Sequence, residues 1–451
     1  MKRNSTQNHS IQNFPDDIRG LPRRKFMKQL LGGAAAFAVS PAVSIGGNRL
    51  TLEALKDTTS RLPSSDYNEE KYWNLVKEHF LIRKGLVMLN AANLCPSPYP
   101  VQQKVFQFTR DVDSDPSSIN RRKFNGLREE ARKALALYLG ASPDEIAITR
   151  NTSEGNNIVI GGLTFKSGDE VVIWDENHPT ANIAWDVRGE RYGFTVKRVK
   201  VPTRFKSDGE LIEPFRDAIT SRTRILCFSH VSNISGVALP VKKICRIAQE
   251  RGILTHIDGA QTFGSHVVDL HDMGCDFYTG SSHKWFVGPK EVGVFYVRKE
   301  RISDLWPSIV GVGYSSVKDK GARKFETLGQ RDDARIAAMA TTVEFHNTIG
   351  KKRIESRIRS LAQALKHKLQ SEIPDVEFRT PLEPEFSSGV VIFSIPRIDL
   401  SKALNTFYQK YNIGCAVSGG DLAGIRFCPH IYNTREEIDK AVHAVLDLIQ
   451  S

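Results

Sequence analysis

The sequence predicts an α/β protein, with a mostly parallel seven-stranded sheet in a large domain and a smaller α+β domain at the C-terminus. Three observations predict it. Short continuous apolar runs alternate with stretches of helical period, the pattern of parallel strands covered by helices on both faces. A chain of 451 residues is longer than one small core needs and suits two domains. Several apolar runs end in polar or glycine-containing segments, and in such sheets ligands bind at the carboxyl ends of the strands.

Taken in order, residues 1–45 read as an address rather than as part of the fold. Leu21-Pro-Arg-Arg-Lys-Phe-Met-Lys28 precedes a short, mildly apolar run rich in Gly and Ala, Gln29 to Val39. This resembles a bacterial twin-arginine (Tat) export signal and implies the Tat machinery as a partner and a periplasmic or secreted location. No stable membrane anchor is expected. The run is too short to span, no later run reaches about 18 apolar residues, and no cysteine precedes Cys95 that could carry a lipid.

Residues 46–85 read as a polar linker with helical patches, and residues 86–345 as the large domain. Val87 to Asn90 is strand-like, and Arg121 to Leu139 has apolar residues at helical spacing. The strand candidates are Ile146–Thr149, Glu170–Trp174, Thr195–Val199, Arg224–Phe228, Leu254–Ile257, Phe277–Gly280 and Gly293–Val297. Helices are expected at Gly155–Gly162, Val241–Glu250 and near Asp269–Met273, with long ones at Arg331–His346 and Arg353–Glu372. Residues 346–451 form the small domain, with strands at Gly389–Ile395 and Gly414–Val417 and helices at Leu400–Tyr411 and Arg435–Ile449.

Charge excludes less than it suggests. Lys and Arg outnumber Asp and Glu by 63 to 51, a net charge of +12. The positives are dispersed rather than arranged as a basic stripe with aromatics, so no nucleic-acid partner is expected, and the charge serves solubility and attraction of anions. Six scattered cysteines make no disulfide framework, and no Cys/His cluster has metal-ligand spacing, so no metal site is expected.

Three segments carry chemistry. Leu254-Thr-His-Ile-Asp-Gly-Ala-Gln261 delivers Asp258 to a strand tip with small residues beside it. Tyr278-Thr-Gly-Ser-Ser-His-Lys284 sets a lysine among small and hydroxyl residues. Ile148-Thr-Arg-Asn-Thr-Ser-Glu-Gly-Asn156 reads as a strand end, a hydroxyl pair and a helix start, which is a phosphate site because free N–H groups and the helix dipole favour an anion. Alone, Lys284 would read as a surface lysine. Downstream of a strand-end Asp and beside a phosphate site, it is what a pyridoxal-phosphate Schiff base requires: the amine makes the imine, and the Asp keeps the pyridine nitrogen protonated.

Asp258-Gly-Ala-Gln261 together with Ser281-Ser-His-Lys284 resembles the class V aminotransferase family of fold-type I pyridoxal-phosphate enzymes, which includes cysteine desulfurases and isopenicillin-N epimerase-like proteins. The likeness runs from about Leu86 to the C-terminus. It implies that Lys284 forms the aldimine and shuttles protons at the substrate α-carbon. Asp258 would pair with the pyridine nitrogen, and Gln261 would face the ring hydroxyl. Thr152, Ser153, Ser281 and His283 would hold the phosphate, and His178 of Asn177-His-Pro-Thr-Ala-Asn182 would stack on the ring. Asn93, Asn233 and Arg426 would meet the substrate, Arg426 through its carboxylate. The family is usually homodimeric, so a homodimer acting on an amino-acid-like small molecule is implied.

Two departures matter. Cysteine desulfurases need a thiolate on a loop before the carboxylate Arg. Here Cys415 is expected within a strand, and Cys428 follows Arg426 into the strand packing. Where the family often has a Gly-Thr reaching the neighbouring subunit's cofactor, this chain has Gly329-Gln330-Arg-Asp-Asp333, a spelling closer to the epimerase-like branch. Transamination, epimerisation and β-elimination all begin with α-proton abstraction at Lys284. A desulfurase-like lyase is the alternative, and a non-catalytic binding relative would have no need of Lys284 and Asp258.

Overall fold

The structure, a computed structural model, describes residues 51–60 and 66–450. The export signal expected at residues 1–45 lies outside the described residues, as does part of the linker.

Within the linker, helices form at Leu52–Ser60 and Asp66–Glu78, and a short strand β1 follows at Val87–Met88. The large sheet is then built from β2 (Ile146–Thr149), β3 (Glu170–Trp174), β4 (Thr195–Val199), β5 (Thr223–Ser229), β6 (Leu254–Asp258), β7 (Phe277–Ser281) and β8 (Gly293–Val297), in the order β2-β8-β7-β6-β5-β3-β4. From β4 to β7 every pairing is parallel, and β8 runs antiparallel to both β7 and β2. This is the mostly parallel seven-stranded sheet that the sequence predicts.

The strands read as continuous apolar runs because both faces are buried. Val172, Trp174, Leu226, Phe228, Val294 and Tyr296 pack into one core layer, while the alternate residues Val171, Ile173, Ile225, Cys227, Phe295 and Val297 pack into the other. The second layer is closed by the helix Thr152–Gly162 through Ile158, Val159 and Ile160. That helix therefore lies over the sheet face to which Asp258 also points.

The C-terminal part has its own sheet and core. Strands β9 (Glu377–Phe378), β10 (Val391–Ser394), β12 (Ala416–Ser418) and β13 (Gly424–Phe427) form an antiparallel sheet in the order β12-β13-β10-β9, while β11 (Ile413–Gly414) pairs in parallel with β1. Leu361 and Leu365 from the helix Lys351–Glu372 pack there on Phe393, Phe407 and Phe427.

Two expected elements are divided. The strand expected at Gly414–Val417 changes partner at Cys415: Gly414 pairs with Met88, whereas Ala416 pairs with Arg426. The helix expected at Arg331–His346 becomes Asp333–Ala337 and Met339–Ile349, because Asp332 caps the first piece and Ala338, at ψ −9°, ends it while starting the second. Helices at Tyr99–Ser114, Pro179–Tyr192 and Asp208–Ala218 were not expected from period, while the strand implied around Arg426 is Gly424–Phe427.

The core also holds neutral histidines. Burial pushes His230, His266 and His430 down to about 3 and His256 and His346 to about 4. His346 is fixed between Tyr138 Oη (3.1 Å) and the Phe286 carbonyl (2.9 Å), and His430 by the Trp285 carbonyl (2.9 Å). The unfolded chain takes up these protons near the ordinary histidine value of ~6.5, the folded chain only well below it, so stability is full above that value and declines as pH falls through it. The urea midpoint is accordingly expected to drop between about pH 7.5 and about pH 5, either side of ~6.5. Equal midpoints would contradict this account.

Candidate active site

Register brings the site together. Ser229 ends β5 opposite Asp258, and Asp258 ends β6 opposite Thr279 of β7. Side chains alternate across a strand, so Thr279 and Ser281 share one face of β7. All of these residues stand at the carboxyl ends of parallel strands, under the N-terminus of the helix Thr152–Gly162.

Asp258 is buried and held in a fixed orientation. One carboxylate oxygen accepts from Asn156 Nδ2 (3.0 Å), the other from the Ala260 backbone N–H (2.9 Å). Asn156 is oriented in turn by Thr279, whose hydroxyl donates to its amide oxygen at 2.7 Å. Close packing here needs glycine: a Cβ on Gly259 would lie 2.0 Å from the Tyr278 ring, and one on Gly155 would lie 2.7 Å from Thr279.

Lys284 stands on the loop leaving β7, and the loop is pinned. Ser282 N–H donates to Val292 O (3.0 Å), Gly288 N–H to Ser282 O (2.7 Å), and Cys95 N–H to His283 O (2.7 Å). Val287 takes φ 48°, a left-handed conformation that a β-branched residue rarely adopts, so these bonds hold a strained turn in place. Desolvation, chiefly, lowers the pKa of the Lys284 amine; the Asp258 charge opposes this and Arg426 adds to it.

At the other end, Thr152 and Ser281 meet. The Thr152 backbone N–H donates to Ser281 Oγ at 2.8 Å, and the two hydroxyls are 2.7 Å apart. Asn151 caps the helix, accepting from Glu154 N–H at 3.0 Å. Ser153 and His283 line the same cavity. Burial and the charges of Lys284 and Lys290 push His283 down to about 4, which leaves it neutral at neutral pH.

The remaining candidates surround a cavity of about 220 Å3 that also holds Asn93, His178, Asn233, Asp258, Gln261 and Lys284. Asn177 bonds Ser229 N–H and Cys227 O, fixing the segment before His178. His178 Nδ1 accepts from Thr180 N–H at 3.3 Å, which places the imidazole proton on Nε2; desolvation and the Lys284 charge lower its pKa. Gln261 is locked: its amide oxygen accepts from Trp285 Nε1 (2.7 Å) and its Nε2 donates to Ala92 O (3.2 Å).

Arg426 stands just outside this wall. Its guanidinium donates to Asn233 O (3.1 Å) and to Asn90 Oδ1 (3.2 Å), while its buried Nε has no partner. Among the described residues no Asp or Glu pairs with it. The structure thus gathers every sequence-derived site residue around one cavity, Arg426 through Asn233. Gln330 stands apart from it, exposed and donating to Arg331 O at 2.8 Å. Sequence reasoning missed Asn156 and Asn90. Asn156 was legible one turn beyond Thr152 on the same helix face, whereas Asn90 is brought to Arg426 only by the fold.

This donor set fits pyridoxal phosphate, with the Thr152–Ser281 corner for the phosphate, Asp258 for the pyridine nitrogen and Lys284 for the aldehyde carbon. Fold and site together define a fold-type I pyridoxal-phosphate enzyme. Residues 91–441 match the family Aminotransferase class-V, and the chain belongs to that family. It is 28% identical to the isopenicillin N epimerase of Streptomyces clavuligerus over 83% of this chain and 97% of that one. It is 31% identical to a probable cysteine desulfurase of Methanothermobacter thermautotrophicus over 80% of this chain and 94% of that one. In fold it is similar to the cystine C-S lyase C-DES, solved with cysteine persulfide (TM-score 0.75, 22% identity, 81% of this chain and 98% of that one). The apo cysteine desulfurase of Thermococcus onnurineus is also similar (TM-score 0.75, 22% identity, 83% and 97%).

Asn156 offers a direct check. Replacing it by Leu removes the donor to Asp258 and leaves Thr279 without its acceptor, so pyridoxal-phosphate affinity is expected to fall by roughly ten- to hundred-fold, the scale of a lost charged hydrogen bond. Titration of apoprotein with cofactor measures this, and unchanged affinity would remove Asn156 from the site.

Proposed function

We propose that the protein is an exported homodimeric enzyme that abstracts the α-proton of an amino acid or peptide-like substrate, with Lys284 as the base. The observation that carries this reading is the nearness of a desolvated amine, Lys284, to a guanidinium, Arg426, that no acid among the described residues neutralises. A substrate bearing an amine and a carboxylate on one carbon satisfies both.

Arg426 donates to the substrate carboxylate and so orients the α-carbon over the cavity. When bound, pyridoxal phosphate supplies an electron sink for the charge left on that carbon. Asp258, fixed by Asn156 and Ala260, would accept a hydrogen bond from the ring nitrogen and so keep that nitrogen protonated. Lys284 takes the α-proton, and its lowered pKa favours the neutral amine that a base requires. His178, kept neutral, presents its ring to the cavity without adding a competing charge. Epimerisation, transamination and β-elimination share this step.

A thiol-dependent desulfurase reading has less support. All six cysteines are buried, none lines the cavity, and burial pushes Cys95 and Cys415 up to about 12. Such thiols are poor nucleophiles. For the dimer, support comes from an exposed apolar run, Trp306 (70% exposed), Ile309, Val310 and Val312, adjoining the first helix of the site through Ser308, which donates to Asn157 O. For export, it comes from the twin-arginine segment at Arg23-Arg24.

Arg426→Gln is expected to raise KM for the amino acid by roughly ten- to hundred-fold, with a smaller change in kcat. Lys284→Ala is expected to abolish exchange of the α-hydrogen with deuterated solvent. A panel of amino acids and short peptides followed by that exchange tests both, and exchange surviving in Lys284→Ala would reject Lys284 as the base. For export, a reporter fused to residues 1–50 should leave the cytoplasm, and Arg23→Lys with Arg24→Lys should retain it; cytoplasmic retention of both refutes export.

A further inference from the structure

The phosphate corner is supported from a side that never touches the cavity. Strand β2 is one of the two edges of the large sheet and leads through Arg150 and Asn151 straight into Thr152. Its outer edge meets charged side chains instead of another strand. Arg132 donates to Ile146 O (2.6 Å), and Glu326 accepts from Ile148 N–H (2.6 Å) while pairing with Arg132. Arg331 then grips two consecutive carbonyls, Ile148 O with one amino group and Thr149 O with the other at 3.1 Å.

Arg331 differs from the other two. Among the described residues no carboxylate lies within ion-pair distance of it, although burial is the chief cause of its lowered pKa. Its compensation is the pair of carbonyls. A guanidinium is a rigid planar fork, so gripping both oxygens fixes the peptide planes that carry them. The Thr149 carbonyl belongs to the same peptide plane as the Arg150 N–H, which donates to Glu154 Oε2 at 2.6 Å, inside the first turn of the phosphate-side helix. Holding that plane sets the direction in which the chain enters Asn151 and Thr152.

We propose that Arg331 is a positioning residue for the cofactor's phosphate. It acts through the Ile148 and Thr149 carbonyls to set the Thr152–Ser281 hydroxyl pair and the helix N-terminus toward the phosphate, and it does not line the cavity itself. This inference rests on reading the Thr152–Ser281 corner as the phosphate end.

The test compares two probes on the full-length apoprotein: pyridoxal phosphate and pyridoxal, which lacks the phosphate. Arg331→Gln and Arg331→Lys are each expected to weaken pyridoxal phosphate by roughly tenfold, the scale of one lost charged hydrogen bond, and pyridoxal by less than about twofold. The phosphorus NMR signal of the bound cofactor should shift in both. Equal losses for the two probes would mean a merely structural role and overturn the proposal. Wild-type behaviour in both variants would also overturn it, because the shorter, neutral amide of Gln cannot replace two charged hydrogen bonds to the carbonyls. If Arg331→Gln does not fold, Arg331→Lys alone carries the comparison. Thr152→Val separates the underlying reading: if it too leaves the ratio of the two affinities unchanged, the phosphate lies elsewhere. If Thr152→Val changes the ratio and the Arg331 variants do not, only the role of Arg331 fails.

Discussion

The site depends on one electrostatic arrangement: an amine and a carboxylate that line a single cavity without pairing with each other. Were Lys284 and Asp258 to form a salt bridge, each would be spent on the other. The fold prevents this by placing them on different supports. Asp258 ends a parallel strand and has both oxygens occupied, by Asn156 and by the Ala260 N–H. Lys284 stands on a pinned loop beyond the next strand, where desolvation lowers its pKa. Both side chains line one cavity, and the pairing of Asp258 with Thr279 fixes the register of the two strands that lead to them.

Much of this was legible in the sequence because it is local. Four of the seven strands of the large sheet match expectation residue for residue, and the other three run only one or two residues longer. Strands buried on both faces announce themselves as unbroken apolar runs. Asp258, Lys284, Thr152 and Ser281 were legible because each sits at the end of such a run, where a polar residue has no packing reason to be.

What stayed hidden is tertiary. The helix Pro179–Tyr192 has an apolar pattern split between buried Trp185 and exposed Ile183 and Val187, so its period is blurred. The strand Gly424–Phe427 was read only for its arginine. Cys415 was expected inside a strand, but the chain changes partners there, and register changes leave no mark on composition. Asn90 lies in the Leu89–Asn93 segment that resembles the family's active-site entry, but nothing local ties it to Arg426; β1 pairs with β11, and the bridge from Asn90 to Cys428 brings it there.

The same contrast explains the cations of the site. A chain of net charge +12 has many arginines, and most of those described end in ion pairs with Asp or Glu. Arg331 and Arg426 do not, and both bind backbone carbonyls instead. A carbonyl accepts a hydrogen bond without cancelling the charge, so a guanidinium held this way stays available to an anion. Arg426 keeps its charge close enough to Lys284 to bear on the amine. Arg331, facing away from the cavity, uses its shape. Two arginines of one chain are thus held by backbone carbonyls for different ends, Arg426 with its charge uncancelled beside the cavity and Arg331 with its planar fork on the strand that leads into Thr152.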